Sequence, residues 1–176
     1  MTRRQWLLFG LTGLAAAALG GWAATRRLAP TPVSDQAARQ LFGQTLADPD
    51  GTPQALSQFF GRVLVVNFWA TWCPPCVEEM PDLQAVRDAY RARGVEVIGI
   101  GIDSAEKIRV FRDRMNLSLP LFVAGMEGSE LGRALGNRTG ALPFTVLINP
   151  YGQVVQRKLG QIKPAELRAW LDAQLG

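Results

Sequence analysis

"NFWATWCPPCVEEMP", residues Asn67–Pro81, is the stretch that decides the fold of this chain. It holds both cysteines, Cys73 and Cys76, with only Pro74 and Pro75 between them. Just upstream, "VLVVNF" is an almost unbroken apolar run, which suits a strand covered on both faces. Downstream, Val77, Met80, Leu83, Val86 and Tyr90 recur at helical spacing, and Gly94 supplies a stop. The cysteines therefore sit where a buried strand hands over to a helix. Pro81 lies inside that helix and, lacking an amide donor, is expected to kink it.

Two thiols on so short a tether could form a structural disulfide, half of a metal site or an electron-exchanging pair. The loop they close is too small for a bond to remove much chain entropy, which argues against a staple. A structural zinc site needs four ligands, whereas the chain has two cysteines and no histidine, so no metal is expected. Copper carriage is the softer alternative, but Met80, Met115 and Met126 form no paired-methionine cluster. Reversible exchange fits best, with the Cys73–Cys76 disulfide as the redox group and no other cofactor. The helix N-terminus favours a thiolate. Cys73, nearer the strand end, is expected to attack, and Cys76, one turn into the helix, to resolve the mixed disulfide. Pro74 and Pro75 preorganise the turn but lack N–H groups, leaving the Cys76 amide as the main donor to the Cys73 sulfur. With no imidazolium available either, the pair should act as a reductant rather than a strong oxidant.

Working outward, "LFGQTLADPDGTPQALSQF" reads as a small hairpin around Asp50-Gly51. "VEVIGIGI" is a second buried strand, and "SAEKIRVFRDRM" a helix capped by Ser104. "SELGRALG" suggests a short helix from Ser129. "LPFTVLINPYGQVVQRKLG" reads as strand, turn, strand, and "KPAELRAWLDAQLG" as a terminal helix with Pro164 in its first turn. The order is that of an α/β fold whose C-terminal sheet edge is antiparallel.

The front of the chain differs in composition. Residues 1–30 carry four arginines and no acid, so the whole net charge of +4 lies there, and from Thr31 onward bases and acids balance. A neutral remainder offers no basic face for nucleic acid. Gln5–Thr25 is an uncharged apolar run of about the minimum length for a membrane helix. The sequence thus reads as a signal anchor or export signal over 1–28, with a twin-arginine motif in "TRRQWLL", a tether over 29–40 and a folded domain over 41–176.

"VVNFWATWCPPCVEEMP" resembles the active-site segment of the thioredoxin superfamily, in particular its membrane-tethered TlpA/ResA/DsbE-like thiol-disulfide oxidoreductases. The resemblance runs from about Leu41 to the C-terminus. It implies a thioredoxin-like fold, with a central mixed sheet flanked by helices and the N-terminal hairpin as an addition. It also implies a cis-proline opposite the cysteines, which "GALPFTVLI" places at Pro143, with the Leu142 backbone free to pair with a substrate segment. Trp72 becomes a rim residue of the site and Trp69 a packing residue. Relatives carry an acid beneath the cysteines that moves protons to the resolving thiol, and Asp103 at the end of the second strand is the candidate here. Glu78 and Glu79 match the helix dipole, and Glu79 is read as structural unless it proves to be buried. The resemblance further implies an extracytoplasmic protein anchored to the inner membrane through residues 5–25, a membrane electron donor of thiols, and disulfide-containing substrate proteins. Apocytochrome c and copper-site proteins are the two substrate classes it suggests.

Overall fold

The computed structural model describes residues 35–176. The chain enters through helix α1 (Asp35–Phe42) and a hairpin of β1 (Thr45–Ala47) and β2 (Pro53–Ala55). A single 3₁₀ turn leads to β3 (Val63–Trp69), helix α2 (Pro74–Tyr90), β4 (Val95–Gly101), helix α3 (Ala105–Met115) and β5 (Leu121–Val123). Helix α4 (Glu127–Ala134), β6 (Phe144–Ile148), β7 (Val154–Leu159) and helix α5 (Pro164–Leu175) complete the domain. The strands form one sheet in the order β2-β1-β5-β4-β3-β6-β7. β3, β4 and β5 run parallel, while β6 and β7 continue antiparallel and β1 joins β5 antiparallel. This is the thioredoxin-like arrangement, and the expected hairpin extends the sheet at its far edge.

Alternation along β3 divides the core into two layers. Val63, Val65 and Trp69 face α2, α3 and α5 in one apolar cluster that includes Cys76, Met80, Leu83, Ile108, Phe111 and Leu171. Leu64, Val66 and Phe68 face the other way, against Leu41 of α1 and Leu131 of α4. Every residue of β3 and β4 is buried, as continuous hydrophobic runs with both faces covered should be. The glycines of "VEVIGIG" let neighbours press onto the β4 backbone. A Cβ at Gly99 would lie 3.0 Å from the Trp69 indole nitrogen, and one at Gly101 would collide with Ile108.

Three expectations change. Residues 35–40, read as the end of a tether, belong to α1, whose Ala37, Ala38 and Leu41 are buried in the second core layer. An apolar face of only three residues in eight was too short to stand out against the alanine-rich run before it. β5 is an additional strand, and its three residues are too few to show a period. Helix α4 begins at Glu127 rather than Ser129. Helix α2 runs through Pro81 as one element. No helix among the described residues is long and apolar enough to cross a membrane, and the segment read as an anchor lies outside them.

Candidate active site

The site is built where β3 ends. Cys73 is the N-cap of α2, in extended conformation, and Pro74 and Pro75 occupy the first two helical positions, where a missing N–H costs nothing. The turn is closed by Cys73 N–H donating to Ala70 O and Val77 N–H donating to Cys73 O. Cys73 and Cys76 are joined in a disulfide with their Cα atoms 5.3 Å apart. Both cysteines are buried, Cys73 retaining 4% of its surface and Cys76 none, so Cys73 is the less enclosed of the two. Trp72 stands out beside them at 64% exposure, whereas Trp69 is core, its ring against Phe111.

On the other side of the pair, the Leu142–Pro143 peptide bond is cis. Its loop is tied at both flanks, with Asn137 Nδ2 donating to Ala141 O at 2.9 Å and Gly160 N–H donating to Pro143 O at 2.8 Å. Leu142 is half-buried between the two core layers. β6 follows directly and pairs with β3, Phe144 opposite Phe68, which brings this loop to the end of the sheet that carries the cysteines.

The carboxylate behind the disulfide is Glu79. It lies three residues after Cys76, hence on the same helical face, and it is fully buried. One of its oxygens accepts from Asn67 Nδ2 at 2.8 Å and the other from the Ile162 backbone N–H at 2.8 Å. Asn67 on β3 also donates to Thr145 Oγ1 on β6, while its own Oδ1 is buried without a partner. Burial pushes the Glu79 carboxyl up to about 7 against the two donated hydrogen bonds, which pull it down. Glu79 lies in the second turn of α2, beyond the reach of the dipole that the sequence reading assigned to it. The available signal was its spacing from Cys76, which places an acid on the inward face among Cys76, Met80 and Leu83.

Asp103, the acid chosen from the sequence, is occupied elsewhere. Thr71 Oγ1 donates to one of its oxygens in a short hydrogen bond, and the other accepts from Ser104 N–H at 2.8 Å and from Lys107 Nζ at 3.3 Å. Burial would raise its pKa, but these donors outweigh it and hold the carboxyl below its ordinary value. It clamps the loop before Trp72 to the start of α3, so its hydrogen bonds go to Thr71, Ser104 and Lys107. Among the described residues, no group of three or more histidine, cysteine, aspartate or glutamate side chains is arranged for a metal ion.

Comparison with known proteins agrees with this geometry. The Redoxin family profile matches residues 31–174. The chain is 32% identical to the thiol-disulfide oxidoreductase ResA of Halalkalibacterium halodurans over 164 residues, covering 90% of this chain and 88% of that protein. A thiol:disulfide interchange protein of Chlorobium tepidum superposes with a TM-score of 0.68 at 24% identity, over 76% of this chain and 93% of that one. A secreted Mycobacterium tuberculosis disulfide oxidoreductase does so with 0.61 at 22% identity, over 76% and 98%. With its strand-to-helix cysteine pair, its proline loop and this likeness along most of its length, the chain belongs to the Redoxin family, as a thiol-disulfide oxidoreductase of the ResA and DsbE type within the thioredoxin superfamily.

Proposed function

We propose that the protein is a reductase of protein disulfides outside the cytoplasm. The reading is carried by Glu79, a buried carboxyl with a pKa of about 7 on the helical face of Cys76. In the dithiol form, the Cys73 thiolate attacks one sulfur of the substrate disulfide. That bond breaks, a mixed disulfide forms, and the departing substrate thiolate takes up a proton. Cys76 then gives its proton to the Glu79 carboxylate and attacks Cys73 Sγ. The second substrate thiol leaves, and the Cys73–Cys76 disulfide holds the two electrons' worth of oxidation. A base with a pKa near 7 is matched to a thiol whose ordinary value is about 8.5.

The direction of flow rests on the environment of Cys73. Two prolines remove amide donors from its turn, and the chain has no histidine to stabilise a thiolate. The less the thiolate is favoured, the more reducing the pair. Outside the cytoplasm a dithiol drifts to the disulfide, so a reductase needs a membrane donor of thiols. The "secreted" relative and the apolar run over residues 5–25 support that placement, with the N-terminal segment as the inner-membrane anchor. Apocytochrome c cysteines and copper-site proteins are the substrate classes in view.

The reduction potential of the Cys73/Cys76 pair in the full chain tests this. A value near −270 mV, about that of thioredoxin, supports the reductase; one near −120 mV, about that of a strong oxidant, makes the protein a donor of disulfides. Binding of one equivalent of Cu(I) by the reduced pair, with no turnover of disulfides, points instead to a copper-assembly module.

A further inference from the structure

A groove of about 440 Å³ opens beside the active-site loop, lined by Thr71, Glu106, Lys107, Val110, Phe111 and Arg114. No part of the catalytic scheme uses it. It reaches the active-site loop at Thr71, two residues before Cys73 and next to the exposed Trp72 in the chain. Its floor is apolar, formed by the buried ring of Phe111 and by Val110, which is 58% exposed.

The charges along it are ordered. Glu106 lies in the first turn of α3, Val110 one turn on, and Arg114 a further turn on, in the last turn. Lys107 is held by Asp103. Glu106 and Arg114 have no ion-pair partner among the described residues, and the Arg114 guanidinium lies 5.6 Å over the centre of the Phe111 ring, which also lines the groove. Groups four residues apart on a helix are separated by about 6 Å along its axis. Alternate side chains on one face of an extended chain are separated by about 6.6 Å. A strand laid along α3 therefore meets Glu106, Val110 and Arg114 with every second side chain.

We propose that this groove is a substrate subsite, resting on the reductase reading above, that takes an extended polypeptide segment of the pattern basic–x–apolar–x–acidic. The basic residue lies at the end nearest the target disulfide. The basic side chain meets Glu106, the apolar one covers Val110 and Phe111, and the acidic one forks onto Arg114. The groove thus selects among protein disulfides by what flanks them, on the side of Trp72 away from the Leu142–Pro143 loop.

The test uses the full chain in its reduced form and glutathionylated peptides with lysine, leucine and glutamate in this pattern at increasing spacing from the cysteine. A second set carries glutamate, serine and lysine at the same places. Each second-order rate constant for single-turnover oxidation of the reduced protein is expressed relative to that for 2-hydroxyethyl disulfide, which is too small to reach the groove. The expected result is a preference of about tenfold for the first set at one spacing. The Glu106→Lys/Arg114→Glu double variant should favour the second set, and Val110→Asp should weaken the preference. Equal ratios for both sets in the unaltered protein, or an order that survives the charge swap, would overturn the subsite alone. Failure of the unaltered protein to reduce 2-hydroxyethyl disulfide at all would overturn the reductase reading and the subsite with it.

Discussion

Asn67 on β3 donates its side-chain amide to Glu79 on the helix that carries the cysteines, at 2.8 Å across the buried face of the sheet. The contact ties the catalytic helix to β3 and gives a buried acid its local environment. Asn67 Oδ1 itself is buried without a partner. An amide in place of the carboxylate keeps one acceptor and adds a donor, which Asn67 Oδ1 can accept if that side chain turns over.

Glu79→Gln should therefore fold well, and its stability relative to the unaltered chain should depend on pH. Burial raises the Glu79 carboxyl from its ordinary 4.5 to about 7 in the folded state. Between these values the folded chain holds a proton that the unfolded chain has released. Stability from this group is thus fully present below about 4.5 and is lost as pH rises through 7, by up to about 3 kcal/mol. Urea unfolding at pH 5 and pH 8 should show Glu79→Gln gaining on the unaltered protein at the higher pH. Parallel curves at both values would mean that the carboxyl is not buried in solution.

The same substitution should slow resolution of the mixed disulfide. Removing a positioned base typically costs about 10²-fold or more. The rate deficit of Glu79→Gln relative to the unaltered protein, read by stopped flow, should be largest near neutral pH and shrink as pH climbs towards the ordinary thiol pKa of about 8.5, where Cys76 ionises unaided. A uniform loss at every pH would assign Glu79 a packing role.

The cysteines should separate cleanly by role. Cys76→Ser, which keeps the less enclosed cysteine, should accumulate a mixed disulfide with a disulfide substrate, visible by intact mass. Cys73→Ser should neither trap nor turn over, because the remaining sulfur has no exposed surface. Trapping by Cys73→Ser would reverse the assignment.

At the opposite end of the sheet, Arg87 on α2 and Glu96 on β4 form a buried ion pair joined by a short hydrogen bond from Arg87 Nε. Arg87 also donates to Ser118 O at 3.5 Å. Glu96→Ala should cost about 3–5 kcal/mol in urea unfolding, because it strands a buried guanidinium. Arg87→Met with Glu96→Leu should recover most of that loss, since the two desolvated charges go together. Equal destabilisation by the single and the double variant would show that the pair contributes favourably beyond its own desolvation.

Much of this was written locally. The continuous apolar run of β3, the helical recurrence after Cys76 and the Asp50-Gly51 turn each specify an element through near neighbours, and the cysteine pair announces its chemistry by sitting between strand and helix. α1 and β5 escaped notice because eight and three residues hold too little of a period to read. The two acids show the same division more sharply. Asp103 stands at a strand end where a relay is expected, yet Thr71, Ser104 and Lys107 arrive around it and keep it charged. Glu79 looks like a surface acid on a helix rich in them, and only its spacing from Cys76 hints otherwise. What raises its pKa is burial, and the groups that close over it, Asn67 and Ile162, lie twelve and eighty-three positions away in the chain, their hydrogen bonds only partly offsetting the desolvation. The sequence by itself determined the longer elements and the redox pair, because local periodicity and a short motif set them. Which carboxyl lies buried on the helical face of that pair was decided only by tertiary structure, because desolvation depends on distant segments that close over the group.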